Sequence, residues 1–152
     1  MASTTSSTRP YIGWRLFALA YDFWPVAALW MVASLLFNIV YSIAMHAERA
    51  YVRPVSWTAL LLWIVCWLIA GVYAVASWSR GGQTLGMRPW RLRVVGIDGA
   101  PDRRALIRRY AVGTLSLLLG GIGFWWAWFD RDRMTWHDRV SRTRVERMAK
   151  HG

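Results

Sequence analysis

Three long apolar stretches, set apart by short segments rich in arginine, dominate the pattern along the chain. Residues 16–45 contain one charged side chain, Asp22, while residues 55–79 and 110–129 contain none. A helix needs about 20 apolar residues to cross roughly 30 Å of hydrocarbon, so the first two stretches predict transmembrane helices and the third is close to the minimum length. The first helix is expected to start between Ile12 and Arg15, to bend near Pro25, and to end before His46. A connector at residues 46–54 carries Glu48, Arg49 and Arg53, and its Pro54 suits the start of the second helix, which should exit at Ser79. Residues 1–8 are Ser/Thr-rich without apolar periodicity and predict a disordered tail; residues 9–148 form the membrane domain, and 149–152 a short tail.

Between the second and third stretches the pattern changes. Residues 80–109 read as a loop that opens with Gly81, Gly82, Gln83, Thr84, Leu85 and Gly86 and continues into Leu92, Arg93, Val94 and Val95. The β-branched content there, followed by Asp98-Gly99, predicts a strand and a turn. Residues 143–148 alternate with period two and suit a partner strand. The expected architecture is therefore an all-α membrane protein with a small β-hairpin-like element, which would bring the loop and the C-terminal segment at 130–148 to one side.

The course of the third stretch is a choice between a re-entrant hairpin and a third span. Gly120, Gly121 and Gly123 offer a place to turn. Of the 19 basic residues, eight fall in 80–109 and seven in 131–150. Three full spans would divide the basic residues ten against nine, whereas a re-entrant third segment divides them seventeen against two. The second division is the asymmetry that short cytoplasmic loops show, so charge favours the return and a cytoplasmic location for both arginine-rich segments.

Composition sharpens this picture. The 152 residues are 56% hydrophobic, with 19 Lys and Arg against 8 Asp and Glu and a net charge of +11. Clustered arginine is also a footprint of nucleic-acid binding, but arginine flanking apolar spans is explained by the membrane and by anionic lipid headgroups, and nucleic acid is not an expected partner. The apolar run before the Ala18-Leu19-Ala20 triplet is too short for the core of a signal peptide, and the run after it is too long. A single cysteine, Cys66 in mid-span, excludes a disulfide framework and a cysteine metal cluster. No metal or other cofactor is expected.

Candidate chemistry rests on few residues. Arg15 and Asp22, seven apart, share a helix face about 10 Å apart along the axis. Arg15 also reads as an ordinary anchor that snorkels to the headgroups. A carboxylate inside hydrocarbon costs about 2.5–3.5 kcal/mol at the centre, so Asp22 should be satisfied, either as a structural acceptor for Arg or Tyr groups of the loop or as a proton or cation relay. The glycine-rich loop lacks both the Lys-Ser/Thr of a P-loop and the order of a dinucleotide fold, which leaves a tight turn at a helix exit. His137-Asp138 reads as a turn or cap rather than a metal pair, since adjacent residues point apart on a helix. Trp14, Trp57, Trp78, Trp125, Trp126 and Trp128 lie near segment ends, as an interfacial belt would, while Trp63 and Trp67 share one face of the second helix. No nucleophile and base are arranged as catalysis would need, so an enzyme is not expected.

Taken in order, these motifs resemble the RDD family of small bacterial membrane proteins, named for an arginine and two aspartates. Arg15 through Asp22 looks like its first-helix motif. Gly82-Gln83-Thr84-Leu85-Gly86, with Leu92 to Val95 and Asp98-Gly99, looks like its loop motif, and His137-Asp138-Arg139 with Thr143-Arg144-Val145 looks like its terminal motif. Two departures are Met87, where the family often has lysine, and Arg142, where it often has glycine. The resemblance implies a multi-pass protein of the bacterial cytoplasmic (inner) membrane and no settled activity; transport has been suggested for the family, and some members are linked to sodium/proton exchange. The expectation is a scaffold or accessory protein, a homo-oligomer or the partner of another membrane protein, in which Arg15, Asp22, Gln83, Thr84 and Asp138, with the loop glycines Gly82 and Gly86, form one polar cluster at the cytoplasmic face. The alternative is an oligomeric ion or small-solute transporter with Asp22 as the ionisable group.

Overall fold

The apolar pattern becomes two long helices whose side chains are mostly left bare. The structure, a computed structural model, describes residues 11–45 and 55–148; the tails expected at 1–8 and 149–152 and the connector at 46–54 lie outside the described residues. Helix α1 (Ile12–Ala44) runs uninterrupted through Pro25, and its 33 residues rise about 50 Å. Helix α2 (Trp57–Gly81) starts at a Ser56 cap, whose hydroxyl accepts from the Ala59 N–H at 3.1 Å, and runs two residues past the expected exit. Gly82 closes it in the left-handed conformation at φ 71°, its N–H donating to the Trp78 carbonyl. Both helices are long and apolar enough to cross a membrane. On α1 only Ile12, Arg15 and Ala18 are buried, while Trp24, Met31, Val40 and Ile43 are each at least 66% exposed. A run of bare apolar side chains this long is a surface for lipid or another membrane helix.

The third apolar segment differs from expectation at its start. Helix α3 (Arg103–Leu118) begins seven residues before the uncharged run, capped by Asp102, whose carboxylate accepts from the Ala105 N–H at 2.6 Å. Residues 103–109, expected in the loop, are its first turns. Ala105, Leu106 and Arg109 share its buried face, and Arg103, Arg104 and Arg108 stay outside, so amphipathic burial overrides the reading of an arginine cluster as loop. Gly120 and Gly121, at φ 71° and 78°, then turn the chain into α4 (Ile122–Trp125) and one 3-10 turn (Trp126–Trp128). The two halves are bent by 108°, a break at the expected glycines.

Helix α5 (Trp136–Ser141) leads into strand β2 (Thr143–Arg147), which pairs antiparallel with β1 (Leu92–Gly96) in the register Leu92 to Arg147 and Gly96 to Thr143. The expected pairing is present, but it is not a hairpin, because α3, α4 and α5 all lie between the strands. Val94 and Val145 face each other across it and join Ala18, Met87, Leu92 and Leu106 in a small core, with Trp78 and Trp90 packed against it. That core gathers the start of α1, the end of α2, the loop and the start of α3 at one end of the molecule.

Candidate functional site

At this end lie two hydrogen-bonded carboxylates, Asp138 buried and Asp22 half-buried, built in different ways. Asp138 is the third residue of α5 and closes a capping box with Thr135: the Thr135 hydroxyl accepts from the Asp138 N–H at 3.4 Å, and the carboxylate accepts from the Thr135 N–H. Its Oδ2 accepts from Arg15 Nη1 of α1 at 2.5 Å, and its Oδ1 accepts from Arg109 Nη1 of α3. Arg109 also donates to the Thr143 hydroxyl at 2.7 Å, and Arg15 to that of Thr135 at 3.3 Å. All five side chains are buried, Asp138 to 1% exposure. The lock therefore joins α1 and α3 to the adjacent α5 and β2, three places far apart in the sequence.

Two arginines around one aspartate leave this buried group with a net positive charge. Burial opposes ionisation of Asp138, but Arg15 and then Arg109 outweigh it and hold the carboxyl well below the usual carboxylate range. Beside it, burial and the Arg109 cation push His137 from its ordinary 6.5 down to about 3 against the pull of Asp138. His137 is therefore neutral, 3.9 Å from Asp138, with its ring against Phe124. The Arg109 guanidinium also lies over the Trp78 ring at 5.4 Å, so Trp78 belongs to this interior and not to an interfacial belt. Arg15 is likewise no snorkelling anchor: it is 8% exposed and paired inward.

Asp22 lies two turns further into α1. Its Oδ1 accepts from the Tyr73 hydroxyl of α2 at 2.7 Å and from the Gly86 N–H at 2.9 Å, and its Oδ2 accepts from the Thr84 hydroxyl. Tyr73 in turn accepts from the Leu85 N–H at 3.1 Å. No ion pair to Asp22 occurs among the described residues. Gly86 is required by close approach: a Cβ there would run into the Ala18 carbonyl and would sit 2.7 Å from the Asp22 backbone nitrogen. Without that approach the loop amide could not reach the carboxylate.

The single cluster expected from the sequence thus divides into two. Arg15 and Asp138 come together, Asp22 joins Thr84 and Gly86, and no hydrogen bond links Arg15 with Asp22 among the described residues. Gln83 belongs to neither: its amide donates to the Leu92 carbonyl at 2.7 Å and fastens the loop to β1. Gly82 serves as the α2 cap, and its carbonyl accepts from the Val94 N–H at 2.7 Å. Met87, where the RDD pattern often has lysine, is buried in the core, so an apolar contact stands where that charge would be. Trp67 packs its ring on Tyr110 of α3, whose hydroxyl donates to the Trp67 carbonyl at 2.7 Å.

Sequence reasoning missed Tyr73, Arg109 and Thr135 and gave Thr143 only as part of the terminal motif. Thr135 carried a signal, the capping-box spacing to Asp138. No group of three or more His, Cys, Asp or Glu able to hold a metal occurs among the described residues. In comparison with known proteins, the RDD family model matches residues 9–142, most of the chain. No curated protein and no solved structure matches it.

Proposed function

The chain belongs to the RDD family, and with that as premise we propose that it is a non-enzymatic scaffold or accessory protein, multi-pass in the bacterial cytoplasmic membrane, whose buried arginine–aspartate lock fixes the fold at the cytoplasmic face. The observation that carries this reading is the Asp138 site. Both of its oxygens are taken up by guanidinium groups anchored on α1 and α3, a use that ties elements together and leaves no acceptor free for a ligand.

A re-entrant third segment fits the same reading. The strands before and after that segment are hydrogen-bonded to each other, and the segment bends by 108° between them. On this course the arginine-rich residues 80–109 and 131–147 share a face, in keeping with the positive-inside rule. The bare apolar faces of α1 and α2 suit a second copy or another membrane protein beside the lipid.

One observation favours transport as the second reading. Asp22, in a helix with no other charge beyond Arg15, is held by two hydroxyls and an amide with no ion-pair partner among the described residues, so a proton or small cation could complete it. Vesicles containing the purified protein, placed under a pH gradient, separate the readings. A scaffold gives cation-coupled proton flux no greater than protein-free vesicles. Flux that Asp22→Asn abolishes while the protein stays assembled would overturn it. For topology, reporters active only in the cytoplasm, inserted at Asp98 and fused after Gly152, should both report; opposite signals would defeat the re-entrant course.

A further inference from the structure

A groove of about 840 Å³ runs along α2 beside α1, open on one side. Its wall is apolar, formed by Leu29 of α1 and by Val65, Leu68, Ile69 and Val72 of α2. Its other end is polar, with Arg80 on the last turn of α2 and Gln83 and Arg88 from the loop. Arg80 and Arg88 are exposed and have no ion-pair partner among the described residues, as is true of Arg104 and Arg108 on the outer face of α3, but Arg80 and Arg88 alone of these border the groove.

The dimensions match one lipid. From Val65 to Arg80 the α2 backbone rises about 22 Å, the depth of one leaflet when a bilayer with its headgroups is about 40–45 Å thick. The apolar wall lies at the depth of acyl chains, and the two free guanidinium groups lie where α2 ends, at the level of headgroups. A zwitterionic headgroup carries its own cation beside the phosphate and offers the pair no net charge, while an anionic headgroup leaves its phosphate to the two guanidinium groups.

We propose that this groove is a binding site for one anionic glycerophospholipid, with an acyl chain along Leu29, Val65, Leu68 and Val72 and the phosphate between Arg80 and Arg88. The groove meets the Asp22 site at Tyr73 and Leu85, while Asp22, Thr84 and Gly86 do not line it, so lipid binding is compatible with either role of Asp22. The lipid would fill the groove and pin the loop end of α2 to the headgroup layer.

Native mass spectrometry of the full-length, delipidated protein in detergent micelles tests the site. Phosphatidylglycerol and phosphatidylcholine with the same acyl chains are titrated separately. The wild type should retain phosphatidylglycerol about tenfold more tightly or better, the scale expected for two basic groups at an anionic headgroup. Arg80→Gln/Arg88→Gln should bring it to the phosphatidylcholine level, while Arg104→Gln/Arg108→Gln, the same charge loss on the exposed face of α3, should leave it unchanged. Equal losses in both double variants, or equal retention of the two lipids by the wild type, would overturn the proposal. Leu68→Trp/Val72→Trp, which fills the wall, should weaken retention of both lipids and covers the case in which the arginine pair fails to fold. Unchanged retention in that variant, displacement of the lipid by glycerol phosphate, or loss of a dimer with lipid retention intact would each count against a lipid site, the last by making the groove a subunit interface.

Discussion

Asp138, fully buried, and Asp22, half-buried, are carboxylates each surrounded by donors from distant parts of the chain, yet one is neutralised by charge and the other by dipoles. Asp138 has two guanidinium groups, a net positive environment and a carboxyl held ionised. Asp22 has Tyr73, Thr84 and the Gly86 amide, with no ion-pair partner among the described residues. A buried ion group is intolerant of losing one side, because the remaining charge is stranded, whereas a carboxylate held by several neutral donors strands no charge in its partners when it is replaced. The first arrangement suits a lock and the second suits a hinge or a relay.

The largest effect is expected from removing both cations of the lock. Arg15→Met/Arg109→Met strands Asp138 without a positive partner and should cost about 3–5 kcal/mol of stability. Part of that loss should return on acidification, since a stranded buried carboxyl has a raised pKa and is least costly below it. Thermal unfolding in micelles at neutral and acid pH reads both effects.

Breaking the other side requires only a methyl group. Gly86→Ala drives a Cβ toward the Ala18 carbonyl and the Asp22 backbone, and should destabilise by about 1–3 kcal/mol through forced separation of the loop from α1. A mobility change confined to residues 83–88 in hydrogen exchange would show that Asp22 has lost its loop donors.

Acid separates the two regions further. His137 titrates near 3 in the fold and near 6.5 unfolded, so the unfolded chain binds the extra proton between those values and stability falls as pH drops through that window. Asp138 stays ionised in the fold, but its unfolded carboxyl takes up a proton around its ordinary 3.8, so it adds to the loss of stability at the acid end of that window and below. Melting temperature should decline from pH 6.5 toward pH 4, and His137→Asn should flatten that decline.

The smallest effect concerns Arg142, between α5 and β2. It sits in the left-handed region at φ 50°, ψ 41°, where the RDD pattern often has glycine. Its exposed ion pair with Asp98 is worth little. Arg142→Gly should raise stability by up to about 1 kcal/mol, measured by chemical denaturation in the same micelles.

Much of the fold was legible because hydrocarbon thickness imposes a length on apolar runs. Residues 16–45 and 55–79 became α1 and α2, the glycines at 120–121 marked the break, and the alternation at 143–148 found its partner at Leu92–Gly96. The sites were less legible, because their partners are set by tertiary contact. Seven-residue spacing joined Arg15 to Asp22, but the guanidinium reaches Asp138, 123 positions away. Arg109 is one of eight basic residues in 80–109 and differs only in facing the buried side of a helix that its own charge disguised. Tyr73 lay hidden in an uncharged span, since an aromatic there gives no sign of pointing its hydroxyl at an acid.

Asp22→Asn and Asp138→Asn, unfolded side by side in one detergent at neutral pH, bear most directly on the division between a neutral cradle and an ionic lock. Asp138→Asn leaves Arg15 and Arg109 facing each other and should cost about 3–5 kcal/mol, while Asp22→Asn keeps an oxygen acceptor for its neutral donors and should cost about 1–2 kcal/mol. Equal losses, or a larger loss at Asp22, would contradict that division.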